Sequence, residues 1–225
     1  GLASEDASGL DLDKKTLFRA FSGFMLGDIL NMLALRNRPY EREPGASDQA
    51  IARCRALIER SLEQGKPLLW ACFQCRKIIA ALKVDRTDPR PRVLILGEFW
   101  AKTTEGEGNY NLFRFLESEG AEVVTESVSD WLLHQVWRAK WSAERRESLV
   151  KHDEGGSGMG EQRNPTLAKW TMMAVDRIFR MVFYSYARAL GLKGYRLTDH
   201  DALAELSNQY MDSHLGGGED HMEIG

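Results

Sequence analysis

The segment from residue 92 to residue 125 restricts the possible folds of this chain more than any other part of the sequence. It begins with a short apolar run (residues 92–96), continues through a long polar loop (residues 97–111), and ends in a second apolar run, Glu122–Thr125. A short apolar run between chain-breaking residues is typical of a buried strand in a parallel sheet. The residues between the loop and the second run favour a helix. The segment therefore predicts an α/β fold, in which ligands bind at the carboxyl ends of the strands.

The loop contains three carboxylates, three glycines and two amides. We interpret Glu98 as the best candidate catalytic group, because a carboxylate at the end of a strand can be partly desolvated and tuned for proton transfer. Asn109 and Asn111 are expected to face substrate or a partner at the same edge. The alternative is that Asn109 caps the following helix and that the glycines only serve turns. The glycine spacing matches neither a dinucleotide fingerprint nor a P-loop.

Most of the remaining sequence is predicted to be helical. We expect a loose tail over residues 1–13, a helical part over residues 14–88, and an α/β unit over residues 89–225 that is incomplete and flavodoxin-like or Rossmann-like. Two strands alone make a marginal sheet, so further strands are expected beyond Gly225 or from a partner. The helical patterns begin near Lys14, Ser47, Leu68, Ser129, Thr166 and Asp201. The predicted caps are Asp13 for the first helix, Ser129 or Asp130 for the fourth, and Thr198 or Asp199 for the last. Pro165 suits the first turn of the fifth helix. On the first and fifth of these helices the expected inward residues include Phe18, Phe21, Met25, Ile29, Met32, Trp170, Met173, Ile178, Met181, Val182 and Tyr186.

Composition excludes several classes of protein. The net charge of −3 gives no general attraction to nucleic acid or to anionic membranes. No apolar run approaches the ~20 residues of a membrane span, and the first residues are small and acidic, unlike a signal peptide. Three cysteines do not suggest an extracellular disulfide scaffold. We therefore expect a cytoplasmic protein that binds neither nucleic acid nor membrane and that can form oligomers.

Four separate segments resemble one protein family in the order in which that family has them. They are the loop sequence GEFWAKTTEGEGNYN, the segment RPYE at residues 38–41 with Gly45, the segment LESEGAEV with Trp131 after it, and GGEDHMEIG at the end. These segments resemble sequences of the 2-hydroxyacyl-CoA dehydratase and benzoyl-CoA reductase superfamily, specifically its large proteins associated with an ATP-dependent activase. Glu107 and Asp220 differ from the residues that are usual at these positions of the family's motifs.

The resemblance implies a component of an ATP-driven, iron–sulfur-dependent system that acts on acyl-CoA substrates by single-electron reduction. Its implied partners are an activase ATPase and an acyl-CoA-type substrate. The cluster ligands of the family do not map onto this sequence, so this chain is expected to supply scaffold and loops and to bind no cluster by itself. The rival interpretation is a non-catalytic scaffold that docks the activase. A third is a small-molecule-binding domain that uses the glycine-rich loop.

Three smaller patterns leave alternatives open. Cys72 and Cys75 form a lone CxxC inside an apolar helical run, which favours buried structural thiols over a redox or metal role. Glu219 and His221 belong to a carboxylate- and histidine-rich terminal cluster, which is either a solvated turn or a contact with substrate or a partner, and we assign no metal to it. The tryptophans after residue 129 are either ordinary core or part of a basic aromatic face.

Overall fold

The computed structural model describes residues 13–97, 102–104, 106–152 and 165–210. Within these ranges the chain forms seven α-helices and two β-strands. In chain order they are α1 (Lys14–Asn37), α2 (Ala46–Glu63), α3 (Leu68–Ala80), β1 (Arg92–Ile95), α4 (Leu112–Ser118), β2 (Glu122–Thr125), α5 (Val128–His152), α6 (Pro165–Leu190) and α7 (His200–Ser207).

The two strands pair in parallel, with Arg92 opposite Glu122 and Ile95 opposite Thr125. This confirms the predicted strand–loop–helix–strand order, and β1 is one residue shorter than expected. The described residues are mostly helical, with one small parallel sheet. That composition is compatible with the predicted α/β class.

Only one face of the sheet is buried by the described residues. Val123 and Ile95 pack with Phe113 of α4 and Leu35 of α1 in a small cluster. Leu94 points to the other face and is 56% exposed. The expectation of a fully buried β1 was wrong, because successive strand residues face opposite sides and no described element covers the side of Leu94.

The main hydrophobic core lies between α1, α2, α3 and α6. Leu26, Cys54, Cys72 and Phe183 lie at its centre without solvent exposure. The helix α1 contacts both this core and β2. It therefore connects the helical layer to the sheet. Part of α1 lies close to the carboxyl ends of the strands.

Helix starts follow the predicted caps in part. Asp13 accepts a hydrogen bond from Thr16 N at 2.8 Å and caps α1, and Asp199 caps α7 by accepting from Ala202 N at 3.2 Å. The predicted caps of α5 were displaced by two to three positions: Ser127 Oγ accepts from Asp130 N at 3.0 Å. Ser127 was missed because only two residues connect β2 to the helix, which therefore begins at Val128, earlier than expected.

The expected inward residues of α1 and α6 were right only for part of each helix. Met25, Ile29 and Met32 are buried as predicted, whereas Phe18 and Phe21 in the first turns of α1 are exposed. On α6, Tyr186 is buried, but Trp170, Ile178 and Met181 are 59%, 57% and 63% exposed. Apolar periodicity locates a face but does not show what covers it, and here α6 carries apolar residues on two faces.

The helical segment Lys15–Tyr40 is long and apolar enough to cross a membrane by length and composition. Within the best window, 44% of the residues are buried inside the protein. Core helices of globular proteins meet the same criterion, and the buried side chains of α1 contact α2, α5 and α6. The expectation that the chain does not bind membranes therefore stays a prediction.

Candidate functional site

A small polar cavity lies at the carboxyl edge of the sheet. Glu126 and Ser127 directly follow β2, while Lys102 and Thr103 belong to the connection after β1, and Asp28 reaches the same place from α1. The cavity has a volume of about 20 Å³, which is enough for about one water molecule. Its full lining is Asp28, Asn31, Met32, Lys102, Thr103, Thr125, Glu126, Ser127 and Val128. We call this group of residues the strand-end site.

Lys102 supplies the positive charge of the strand-end site. Its side chain is only 1% exposed, and its Nζ lies 2.6 Å from Oε2 of Glu126. The hydroxyl of Thr125 donates to the backbone carbonyl of Lys102 at 2.8 Å, which ties the connection after β1 to the end of β2. A buried ammonium group is costly unless it is paired, so this ion pair fixes the position of both side chains.

Asp28 supplies a negative charge from the middle of α1. Its carboxylate accepts hydrogen bonds from Val128 N at 3.2 Å and from Ser129 N and Oγ at 2.7 and 2.5 Å. These amides belong to the first turn of α5, whose N–H groups have no partners within the helix. The positive end of the helix dipole also favours a carboxylate there. Asp28 therefore caps a helix that lies about a hundred residues away in sequence.

A second carboxylate, that of the buried residue Asp130, lies beside the half-buried Asp28 and organises the residues after α6. Asp130 accepts from Ser127 Oγ and from Thr198 N, both at 2.7 Å. The hydroxyl of Tyr195 also donates to Asp130. Burial and the charge of Asp130 raise the pKa of Tyr195, so the phenol stays protonated and remains a donor.

Burial raises the pKa of Asp28 to about 6, and the neighbouring charge of Asp130 adds to this effect. The hydrogen bonds from Ser129 and Val128 act in the opposite direction but do not cancel the desolvation. The carboxyl group therefore changes its protonation state near neutral pH, next to a cavity that also contacts a paired ammonium group. Such an arrangement can hold a small polar group and exchange a proton with it.

The sequence-predicted site residues are only partly visible. Glu98, Glu219 and His221 lie outside the described residues. Asn111 is exposed, has a left-handed backbone (φ 55°) and immediately precedes α4. It forms no side-chain cap there, and its predicted contact with substrate or a partner remains a prediction.

Asn109 is the one of these residues that the structure buries. Its side chain is 6% exposed, and neither its Oδ1 nor its Nδ2 has a hydrogen-bond partner among the described residues. Asn109 therefore does not cap α4, and the capping interpretation is wrong for this residue. A buried amide without partners is costly, and such a group is available to bind another molecule.

The conformation of the loop holds Asn109 in this position. The amide N–H groups of Asn109 and Asn111 both donate to the carbonyl of Gly106, at 3.3 and 2.8 Å. A Cβ atom at Gly108 would lie 2.4 Å from Cγ2 of Thr104, so only glycine allows this approach. The residues after β1 thus return on themselves, which brings Gly108 against the segment that carries Lys102.

Sequence reasoning missed Asp28, Lys102 and Glu126. Glu126 could have been found by the same rule that selected Glu98, since each carboxylate follows the end of a parallel strand. Asp28 is the only carboxylate within α1, whose other residues are mostly apolar, and a lone charge on a buried face needs a partner. Lys102 gave no signal, because its burial depends on contacts across the sheet edge.

The RPYE segment has structural roles in this chain. Arg38 forms an ion pair with Glu117, in which Nε of Arg38 lies 3.0 Å from both carboxylate oxygens. Tyr40 donates to Oε2 of Glu122 at 2.8 Å. Glu41 accepts from Gly45 N and Ser47 N at 2.6 and 2.7 Å, and so caps the start of α2. The segment therefore joins α1 and α2 to the strand and helix that precede the strand-end site.

The three cysteines lie in the helical core. Cys54, Cys72 and Cys75 are all free and buried, and the thiols of Cys54 and Cys75 donate to each other's backbone carbonyls at 3.7 and 3.6 Å. Burial raises the pKa of Cys72 to about 12, so the thiolate that a metal requires is strongly disfavoured. These residues do not fit an iron–sulfur cluster. Across the described residues, no group of three or more potential ligands could hold a metal ion.

The tryptophan-containing helix α5 uses Trp137 as a structural residue. Trp137 is buried and its Nε1 donates to Oδ1 of Asp201 at 2.8 Å, while Lys140 binds the same carboxylate at 2.8–2.9 Å. This arrangement favours the core interpretation for Trp137 and attaches α7 to α5. The absence of a nucleic-acid partner stays a prediction.

No protein-family model matches this chain, and no curated protein or solved structure is significantly similar to it.

Proposed function

We propose that this chain is part of an ATP-driven, iron–sulfur-dependent acyl-CoA dehydratase or reductase system, in which it supplies scaffold and the loops that face substrate or a partner. The resemblance of four sequence segments to that superfamily suggests the reaction class. In this proposal β1 and β2 belong to an incomplete flavodoxin-like or Rossmann-like sheet. The partners are an activase ATPase and an acyl-CoA-type substrate, the setting is cytoplasmic, and the cluster ligands lie outside this chain.

One observation carries the proposal for a binding edge: the buried side chain of Asn109 has, among the described residues, no partner for either end of its amide. Asn109 lies on the loop between β1 and α4, and the sequence of this loop is one of the four segments that resemble the superfamily. An amide can donate to a thioester carbonyl, and it can both donate to and accept from an adjacent amide. The proton-exchanging carboxyl group of Asp28 and the charged pair of Lys102 and Glu126 lie at the same sheet edge.

The test is a substitution of Asn109 by leucine in the full-length protein together with its activase. Leucine has a similar volume and removes two unpaired polar atoms, so we expect the unfolding free energy to rise by about 1 kcal/mol. The rate of ATP-dependent electron transfer or turnover should fall at least tenfold. A variant that is stable and fully active would overturn the proposed role of Asn109.

Asn37 provides the matched control for that substitution. Its Nδ2 donates to Leu33 O at 2.7 Å and its Oδ1 accepts from Arg86 at 3.0 Å. Because both ends of this amide are paired, Asn37→Leu should lower the unfolding free energy by about 1–2 kcal/mol. Its activity, once corrected for the folded fraction, should be unchanged. The contrast separates a ligand-binding amide from a structural one.

Glu98→Gln tests the candidate catalytic group in the same assay. We expect the unfolding free energy to change by less than about 1 kcal/mol, with reduced turnover or reduced coupling to the activase. Unchanged activity would leave Glu98 as part of a connection.

A non-catalytic scaffold that docks the activase is the second candidate, because α1, α3 and α6 expose several large apolar residues. For such a scaffold, Asn109→Leu and Glu98→Gln would both leave turnover unchanged.

A further inference from the structure

The helix α6 exposes an apolar stripe that no described element covers. Leu167, Trp170, Ala174, Ile178 and Met181 are all exposed and follow one another at intervals of three or four residues. Residues at this spacing share one face of a helix. The stripe runs along about four turns and ends beside the start of α3. A helix with an apolar stripe on its outer face, in addition to its buried face, has a second packing surface.

The stripe leads into a groove between four helices. The groove is formed by the first turns of α1, the end of α2, the start of α3 and the second half of α6, and has a volume of about 530 Å³. Phe18, Leu69 and Met181 line it and are exposed. Ser61 and Ser185 also line it, but their hydroxyls donate to backbone carbonyls of their own helices at 2.9 and 2.8 Å. The wall that remains for a ligand is therefore mainly apolar.

The charges at the groove are of one sign. Lys15, Arg19 and Lys66 line it, and no carboxylate does. None of the three forms an ion pair with another described residue. Gly65, in a left-handed conformation (φ 64°), allows Arg19 to lie against the backbone, since a Cβ atom there would be 2.7 Å from its guanidinium. The groove therefore combines apolar walls with a basic rim.

We propose that this groove and the stripe of α6 bind an amphipathic helix of a partner protein, with an apolar stripe flanked by carboxylates. A helix laid into a groove presents residues at the same three- and four-residue spacing as the stripe. Its carboxylates would pair with the three cations of the rim. None of the residues that line this groove lines the strand-end site, so the inference does not depend on the proposed function.

Charge and shape favour this occupant over the alternatives. In a symmetric dimer through this surface the cations of both copies would face each other, which is unfavourable. A lipid surface binds protruding apolar residues, whereas Phe18, Leu69 and Met181 form the walls of a concavity. An acidic helix fits both the shape and the charge.

The experiment uses the full chain and a synthetic 21-residue helical peptide as probe. The peptide has leucines at alternating three- and four-residue spacing and glutamates beside them, and a fluorescent label reports binding by anisotropy. Two control peptides have lysines in place of the glutamates or the same residues in shuffled order. We expect the glutamate peptide to bind at least tenfold more tightly than either control, with an affinity that falls as salt rises.

Two variants locate the binding surface. Met181→Glu places a carboxylate in the groove and should weaken binding of the glutamate peptide at least tenfold. Leu206→Glu alters an equally exposed leucine on α7, outside the groove, and should bind as the unaltered chain does. Both changes are at exposed positions, so both variants should fold, which circular dichroism checks.

Three results would overturn the proposal. The first is equal binding of the glutamate and lysine peptides, or binding that Met181→Glu does not affect. The second is a dimer in sedimentation that Met181→Glu dissociates, which would assign the surface to a second copy. The third is flotation with vesicles of phosphatidylserine and phosphatidylcholine that Met181→Glu abolishes, which would assign it to a membrane.

Discussion

At the scale of single residues, burial decides the chemistry of the three cysteines. Cys54 and Cys72 have raised thiol pKa values, caused for Cys54 first by its contact with Cys75 and for Cys72 by desolvation. The contact with Cys54 lowers the pKa of Cys75, and burial acts against this effect. The apolar residues around the CxxC motif were sufficient to predict from the sequence that its two thiols are buried. The pattern of Ile78, Ile79 and Leu82 around the pair indicated a helix core, and the structure places all three thiols in one.

We predict that these thiols are unreactive in the native chain. With a disulfide reagent such as DTNB at pH 8, the reaction should proceed no faster than unfolding, because all three thiols are buried and the reagent cannot reach them in the native chain. In denaturant, three thiols should react at once. Rapid modification of even one thiol under native conditions would contradict the buried placement.

Other residues of the candidate site could not be predicted in this way. Glu126 follows a strand and was accessible to the strand-end rule. Asp28 and Lys102 acquire their roles only when α1, the start of α5 and the connection after β1 meet. Asn109 was predicted to face a ligand, but the sequence could not show that its buried amide has no partner among the described residues.

At the scale of elements, the start of α5 links the strand-end site to the rest of the fold. Ser127 Oγ accepts from Asp130 N and donates to Asp130 Oδ2 at 2.7 Å. Asp28 satisfies the next amides from outside the helix. This helix therefore begins with one local cap and one cap from a distant element.

We predict that Ser127→Ala lowers the unfolding free energy by about 1–2 kcal/mol, as expected for loss of a helix cap. Urea unfolding followed by circular dichroism measures this loss. Ser118→Ala is the control, because Ser118 is exposed and bonds only to the carbonyl of Phe115 in its own helix; its effect should stay within about 0.5 kcal/mol. Equal effects for the two serines would refute the cap.

The sequence predicted the existence and order of the elements better than their surfaces. Short strands with flanking glycines and a proline at the first turn of α6 are local signals, and both were interpreted correctly. The outward stripe of α6 was placed inward, because an apolar pattern is the same whether the neighbour is part of this chain or of another molecule. The exposure of Leu94 on β1 was not predicted for the same reason.

At the scale of the whole molecule, two buried groups oppose each other in their effect on stability. Burial raises the pKa of Asp28 to about 6, and it lowers the pKa of His200 to about 4, with the nearby ring of His134 adding to the effect. His200 stacks on His134 with 5.4 Å between ring centroids. Both groups contact α5: Asp28 lies at the start of α5, and His200, the first residue of α7, stacks on His134 within α5.

The sign of each effect follows from which state holds the proton. Between about pH 4 and 6 native Asp28 retains a proton that the unfolded chain has released, so its contribution to stability decreases as pH rises. Between about pH 4 and 6.5 unfolded His200 holds a proton that the native state lacks, so its contribution increases as pH rises. Each shift of about two units corresponds to roughly 3 kcal/mol.

We therefore predict that the unfolding free energy of the chain varies little between pH 4.5 and 6, because the two contributions nearly cancel. His200→Gln removes one of them, so its unfolding free energy should fall by roughly 2 kcal/mol as pH rises across this range. Asp28→Asn should show a rise of similar size. Asp48 and Asp201, whose carboxyl pKa values are lowered, lose their contributions only at more acidic pH. Urea unfolding at a series of pH values measures all three curves, and parallel curves for the unaltered chain and His200→Gln would show that His200 is not buried in its neutral form.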